Sequence, residues 1–265
     1  VYKRQATDRP YARWHIIDST HRKQSELECL TILCDSLQAA LDAKAEGKAI
    51  GSQSFPEFSP NSQSFPLVPM PQLQEVALDQ QLGRSEYKEA LKHYQKKLAK
   101  LHDQIYRWKI PVILAYEGWD AAGKGGNIRR VAEALDPRGY EVVPIAAPTA
   151  DELAHQHLWR FWTKLPKDGH ITIFDRTWYG RLMVERIEGF ASEEQWKRAY
   201  QEINEFEEEL ERWGAIIIKF WLHFSKEEQL KRFELRQNTP EKQWKITDED
   251  WRNREKWDQY VTAVD

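Results

Sequence analysis

Nine consecutive residues constrain this chain more than any others: Gly118-Trp119-Asp120-Ala121-Ala122-Gly123-Lys124-Gly125-Gly126. An apolar run, Ile110–Tyr116, leads into them, and a helical pattern from Lys124 to Leu135 leads out. Glycines let a backbone turn tightly, so that its N–H groups point inward at the oxygens of an anion. The helix that opens there adds partial positive charge at its N-terminus, and Lys124 adds a full one. The spacing is G-x-x-x-x-G-K, that of a phosphate-binding P-loop, and it puts Gly118, Ala121, Ala122, Gly123, Lys124, Gly125 and Gly126 around a phosphate. Gly125 stands where Ser or Thr usually offers a hydroxyl to Mg²⁺. Asp120, inside the loop, is the expected substitute.

The surrounding pattern says what sheet this loop belongs to. Tyr87, Leu91, Tyr94, Leu98, Leu101 and Ile105 form a helical stripe. Four apolar runs then read as buried strands: Ile110–Tyr116, Glu141–Ile145, Ile171–Phe174 and Ala215–His223. Helical stretches separate them, near Lys124–Leu135, Asp151–Leu165, Glu193–Arg212 and Lys226–Asn238, with a last one from Asp248 onward. Strands alternating with helices of this length predict an α/β fold whose parallel sheet is covered on both faces, with room for a fifth strand.

Two further signals accompany the loop. Ile171-Thr172-Ile173-Phe174-Asp175-Arg176 is an apolar strand ending in a carboxylate, the shape of a Walker B element that binds Mg²⁺ directly or through water. Arg176, Arg181 and Arg186 follow at intervals of five. Guanidinium groups grip phosphate bidentately, so these read as polyanion ligands, or else as helix-face arginines paired to Glu185 and Glu188. Further on, Lys231-Arg232-Phe233-Glu234-Leu235-Arg236, with Lys242, Trp244 and Lys245, has the composition of a kinase lid that closes over a transferring phosphate; a plain charged surface helix is the alternative. His155 and His157 lie two apart on a helical stretch, on different faces, and do not read as a metal pair.

Composition bounds the rest. A formal net charge of −3 argues against bulk nucleic-acid affinity while leaving local basic clefts open. No run approaches the roughly 18 uninterrupted apolar residues of a membrane-spanning helix, and nothing near residue 1 is shaped like a signal or transit peptide, so a cytoplasmic location is expected. Cys29 and Cys34, five apart in a helical stretch, read as buried thiols of a reducing compartment. That stretch runs from Asp18 to about Leu41, with Asp18 or Ser19 as cap and Leu27, Leu30, Leu33, Cys34, Leu37 and Leu41 as its stripe. One such helix has nothing of its own to pack on. Residues 47–72 hold five of the twelve prolines and repeat Ser-Gln-Ser-Phe-Pro at 52–56 and 62–66. They read as a linker within the span 46–84, too poor in apolar residues to offset the entropy of ordering, and the first place a protease should cut.

Residues 86–265 resemble the polyphosphate kinase 2 family. The resemblance rests on Glu117 to Gly126, Asp136-Pro137-Arg138-Gly139, Trp159-Arg160-Phe161-Trp162, Phe174-Asp175-Arg176-Thr177-Trp178-Tyr179-Gly180-Arg181, and Trp244-Lys245 before Asp250-Trp251. The family commonly has Ser at position 177, where Thr keeps the hydroxyl. The resemblance implies a three-layer α/β/α P-loop kinase fold with a helical lid. It also implies metal-dependent phosphoryl transfer between inorganic polyphosphate and an adenine or guanine nucleotide, with Mg²⁺ (or Mn²⁺) as the metal. Asp120 and Asp175 would be the metal carboxylates, Lys124 would hold phosphate, and Arg176, Arg181 and the lid residue Arg236 would contact nucleotide or polyphosphate. A homo-oligomer is compatible with it.

Tyr11 to Ile17, followed by Lys23 and a helix, resembles the tail that closes a domain of the same family. Residues 1–45 are therefore expected to be the tail of a preceding copy and 85–265 a second copy lacking its own tail, as in a tandem protein. The tail helix could dock where the missing one would have packed. Val1 to Gln5 are what GTG-TAT-AAG-AGA-CAG encodes, a sequence resembling a sequencing-library transposon end, and are expected to be non-native. Tandem members of the family are associated with AMP as acceptor, so AMP to ADP is the expected reaction. The alternatives are phosphorylation of ADP or GDP, an NTP-dependent small-molecule kinase, and a copy that binds without catalysing.

Overall fold

The computed structural model describes residues 12–46 and 70–265. The repeated proline-rich pentapeptides, and the residues read as non-native, lie outside the described residues. In chain order the elements are β1 (Trp14–Asp18), α1 (Arg22–Ala45), α2 (Arg84–Trp108), β2 (Val112–Gly118), α3 (Lys124–Ala132), β3 (Tyr140–Pro144), α4 (Ala150–Leu153), α5 (Trp159–Trp162) and β4 (Ile171–Asp175). They continue with α6 (Val184–Ile187), α7 (Glu193–Trp213), β5 (Ile216–His223), α8 (Lys226–Gln237), α9 (Asp248–Glu255) and α10 (Trp257–Val264). Short 3₁₀ turns lie at Leu73–Glu75, Trp178–Leu182 and Pro240–Lys245.

The five strands form one sheet in the order β1-β5-β2-β4-β3, and every pairing is parallel. All seven residues of β2 but the last are buried, as a central strand covered on both faces requires. The two faces can be read from the register. Ala115 pairs with Lys219 and Tyr116 with Phe220, and successive side chains along a strand point to opposite faces. Lys219 reaches Glu207 of α7, whereas Phe220 stacks on Tyr116 at 4.8 Å on the other side, where α1, α2 and α3 pack. The fold is therefore three-layered, α/β/α, with the P-loop strand near the middle.

The fifth strand is the main departure from the pattern read in the sequence. The helix expected from Asp18 starts at Arg22, because Trp14–Asp18 is extended and forms the sheet edge beside β5. Asp18 caps nothing in α1; its Oδ1 instead accepts the Thr20 N–H in the turn between strand and helix. Ser19 bonds the backbone of His223 through its own amide and hydroxyl, so the turn is tied to the end of β5. The stripe of α1 is buried at Leu30, Leu33, Cys34, Leu37 and Leu41, against α2, and both cysteines are buried free thiols. Residues 12–45 thus share one core with 85–265.

Two other helices are shorter than their patterns. Asp151–Leu165 splits into α4 and α5, since Gln156 turns its side-chain carbonyl onto the Leu158 N–H between them. The last helix splits at Lys256, between α9 and α10.

Candidate active site

Strand β2 ends in the loop, and the loop begins with a glycine for a steric reason. Gly118 has φ +138°, and a Cβ there would lie 2.4 Å from the carbonyl oxygen of Leu222 on β5. Gly123 takes φ +102° at the start of α3, with nothing within 4 Å of where a Cβ would stand, so its side of the loop is open. Ala121 is held at φ +69°, a region L-residues rarely occupy. Lys124 Nζ donates to the carbonyls of Gly118 (2.7 Å) and Trp119 (3.1 Å), folding the lysine back over its own loop.

Asp175 ends β4, opposite Tyr116 of β2 in the register, so the second carboxylate stands one strand from the loop. It shares with the loop an open cleft of about 1140 Å³. Ala121, Ala122, Gly123, Lys124, Gly125 and Gly126 line this cleft, as do Asp120, Arg176 and Arg236. Gly118 does not; it lies beneath, packed on β5. The cleft opens at the carboxyl ends of β2, β3 and β4, where parallel α/β sheets bind ligands.

Asp120 is gripped from two sides. Arg176 donates to its Oδ1 at 3.1 Å and Asn253 of α9 to its Oδ2 at 2.9 Å. Burial alone would raise its carboxyl, but Lys124 and Arg176 outweigh burial and hold it below the ordinary aspartate value. Burial also lowers the Lys124 ammonium, against the pull of Asp120 and Asp175. Near the end of β2, one residue before Gly118, Glu117 accepts from the Thr177 N–H (2.6 Å) and hydroxyl (2.8 Å). This pins the turn after β4 to the end of β2, and it is where the hydroxyl at 177 is used. Burial pushes the Glu117 carboxyl up, with Lys124 and Thr177 opposing.

Arg181 is not brought to the cleft. It sits in the 3₁₀ turn Trp178–Leu182, and its guanidinium pairs with Glu185 at 3.0 Å. The tight turn after Arg176 carries it away from the loop, so of the two roles the sequence allowed, pairing to a neighbouring carboxylate is the one observed. Arg236 does line the cleft and donates to the Lys245 carbonyl at 3.1 Å, tying α8 to the 240–245 turn.

Several residues of the site lie within or beside the motifs read from the sequence but were given no individual role there. Arg232 donates to the carbonyls of Ala121 (3.1 Å), Thr20 (2.7 Å) and Ser19, clamping the loop, the β1–α1 turn and α8 together. Gln229 donates to the Asp120 carbonyl at 3.2 Å. Trp119 stacks on Trp257 of α10 at 3.7 Å and donates through its indole N–H to His223 at 2.9 Å. Glu117, a carboxylate at the end of an apolar strand, Trp119 inside the loop and Arg232 inside the basic run of α8 all carried a local signal; Gln229 carried none.

The donor set fits a hard divalent cation. Asp120 and Asp175 offer oxygen ligands in one cleft, and no cluster of three or more His, Cys, Asp or Glu occurs among the described residues. Mg²⁺ is commonly held by one or two carboxylates plus substrate phosphates and waters, which two carboxylates suffice to supply. Arg176 and Asn253 would have to yield part of Asp120 to it.

A P-loop at the carboxyl edge of a parallel sheet, with two carboxylates and a basic lid over one cleft, defines a P-loop phosphotransferase class of site. The profile of the family described as Polyphosphate kinase 2 (PPK2) matches residues 81–265, and the chain belongs to that family. It is 48% identical over 259 residues to the polyphosphate:AMP phosphotransferase of Pseudomonas aeruginosa, covering 97% of this chain and 51% of that protein. It is 39% identical over 203 residues to NDP-polyphosphate phosphotransferase 1 of Ruegeria pomeroyi, covering 76% of this chain and 66% of that protein. A crystal structure of polyphosphate kinase 2 from Arthrobacter aurescens TC1 superposes with a TM-score of 0.66 at 30% identity, over 80% of this chain and 72% of that one. The chain spans about half the length of the polyphosphate:AMP phosphotransferases it matches. Among the described residues no helix is long and apolar enough to cross a membrane.

Proposed function

We propose that this cleft moves a phosphoryl group between inorganic polyphosphate and a nucleotide, with AMP as acceptor and ADP as product. The observation that carries the reading is the convergence of Lys124, Asp120 and Asp175 on one cleft that also gathers many cations, Arg176 on one side and Arg232, Arg236, Lys242 and Lys245 on the other, where they outnumber the carboxylates Glu228, Glu249 and Asp250. A triphosphate-dependent kinase of a small neutral substrate has less need of so many cations. The AMP assignment is supported by the 48% identity to a polyphosphate:AMP phosphotransferase across nearly the whole chain.

The reaction breaks a terminal P–O–P bond of the polyphosphate and forms a new one to a phosphate oxygen of the nucleotide, so it needs no further co-reactant. Its transition state spreads charge over peripheral oxygens, and catalysis is mostly positioning and electrostatics. The loop amides and Lys124 hold the phosphate in flight, the lysine exchanging its bonds to the Gly118 and Trp119 carbonyls for phosphate oxygens. Arg176 and Arg236 offset the remaining negative charge. The 240–245 turn, tied to α8 through Arg236, limits access of water. Mg²⁺, which Asp120 and Asp175 would hold, would neutralise phosphate charge and draw donor and acceptor together.

A coupled assay tests this by offering AMP, ADP or GDP as acceptor, and polyphosphate or ATP as donor. AMP-dependent ADP formation from polyphosphate is expected. Triphosphate formation from ADP or GDP would move the acceptor assignment, and turnover with ATP alone would overturn the polyphosphate reading. Lys124→Ala and Asp175→Asn should each lower turnover by about 10²–10³ with the melting temperature nearly unchanged, since both groups serve the cleft and not the core. Near-parental turnover of either variant at saturating Mg²⁺ would refute the site.

A further inference from the structure

One wall of the cleft comes from outside the residues that the family profile matches. The β1–α1 turn and the start of α1 contribute Thr20, His21, Arg22, Lys23 and Gln24 to the lining. Arg22 is the most telling of these. Its Nε donates to Glu26 Oε1 at 2.7 Å, and Glu26 is itself buried and bonded by Tyr87 and Arg130. The guanidinium is therefore aimed by a fixed carboxylate, although the side chain is 61% exposed.

Its terminal nitrogens have no protein acceptor among the described residues. One of them hangs over the first turn of α3: a Cβ added to Gly126 would lie 3.0 Å from it. Gly126 is bare where Arg22 crosses, and the nitrogen stands at the helix end that already carries Lys124 and the loop amides. An arginine whose Nε is spent on an orienting carboxylate, and whose terminal nitrogens, one of them over an anion-binding helix end, have no protein acceptor among the described residues, is set up to grip phosphate bidentately.

We propose that Arg22 is a binding residue for the polyphosphate chain, holding a phosphate next to the one cradled by the P-loop, with Glu26 as its positioning residue. This rests on the polyphosphate reading of the same cleft. Polyphosphate is the occupant favoured on this side because the nearby lining carries Arg22, Lys23 and Arg129 and no Trp, Tyr or Phe on which a base would stack; Tyr87, beneath Lys23, spends its hydroxyl on Glu26 and does not line the cleft. A chain of phosphates continuing past the loop meets one cation after another. The β1–α1 unit, docked on the sheet edge through β5, thereby completes the substrate site as well as the core.

The test is Arg22→Gln in the full chain, with KM measured separately for long-chain polyphosphate and for nucleotide. KM for polyphosphate should rise about tenfold and its dependence on salt should flatten, while KM for nucleotide and kcat move less than twofold. Arg22→Lys should recover part of the loss, because it restores charge without the bidentate fork. Gly126→Ala should raise the same KM by crowding the guanidinium. If the parent turns over polyphosphate and Arg22→Gln leaves its KM and salt dependence unchanged, the role of Arg22 is refuted and the function stands. If the parent binds polyphosphate by calorimetry without turnover, the same comparison is read as Kd, with the same tenfold expectation. If the parent neither binds nor uses polyphosphate, the functional reading falls first and this one with it.

Discussion

Replacing Lys219 by methionine should be strongly destabilising while leaving the cleft's own side chains in place. Lys219 and Glu207 are both 0% exposed, and their charges meet at 2.8 Å between β5 and α7. Lys219 also donates to the Tyr179 hydroxyl at 3.0 Å, while Glu207 accepts from Tyr179 (2.6 Å) and from the Trp178 indole (2.9 Å). The ammonium lies 5.1 Å from the centre of the Trp14 ring, so β1 joins the same network. Methionine keeps most of the aliphatic stem but leaves Glu207 as a buried carboxylate without its cation. Breaking a buried pair in this way costs about 3–5 kcal/mol. At about 2–4 °C per kcal/mol for a chain of this size, the melting temperature should fall by about 6–20 °C.

Adding Glu207→Gln should return most of that loss, because glutamine keeps an acceptor for Trp178 and Tyr179 and carries no charge. The double-mutant cycle by urea denaturation, followed by circular dichroism, then gives the coupling. A Lys219→Met protein within about 1 kcal/mol of the parent would refute the claim that this pair is charged and mutually compensated in the native state. A double variant no better than the single would show that the loss came from packing.

Other outcomes follow from the same structure. Deleting residues 1–46 should lower the melting temperature of the remainder, because it strips β5 of its edge partner and uncovers the α2 face on which α1 packs; an unchanged melting curve would contradict the packing seen here. Gly118→Ala should destabilise by more than about 1 kcal/mol, since its Cβ would meet the β5 backbone and its φ is strained for any L side chain; chemical denaturation reads this directly. Glu28 of α1 is pushed up to about 7, chiefly by burial and then by Asp18. Its folded value lies above its unfolded one, so its contribution to stability is complete below about pH 4.5 and is lost as pH rises through 7. Glu28→Gln should therefore match the parent near pH 4 and melt higher than it at pH 8.

The local features of the site were legible because short-range physics sets them. A tight anion-binding turn needs glycines at fixed offsets, and Asp175 reads as a site carboxylate because a charge ending an apolar strand must lie at its edge. The periodic helices and the four central strands were equally plain, since burial on one or both faces imposes a repeat. Arg181 shows the limit. Its spacing from Arg176 matches a phosphate ligand, but the 3₁₀ turn between them, and Glu185 within reach, decide where it points.

What the sequence by itself determined is the loop, the two carboxylates and the alternation of strand and helix, all written in residues close along the chain. Tertiary structure alone decided which distant groups converge on them. Asn253 reaches Asp120 across 133 residues, and Arg232 reaches Ser19 across 213. Trp14–Asp18 reads poorly as a strand because five residues at a sheet edge carry too short a pattern; its identity comes from pairing with β5, almost the whole chain away. Lys219 is the same case in the core. In a one-dimensional reading it is a charge interrupting an apolar strand, and only the packing of α7 supplies the carboxylate that makes its burial tolerable.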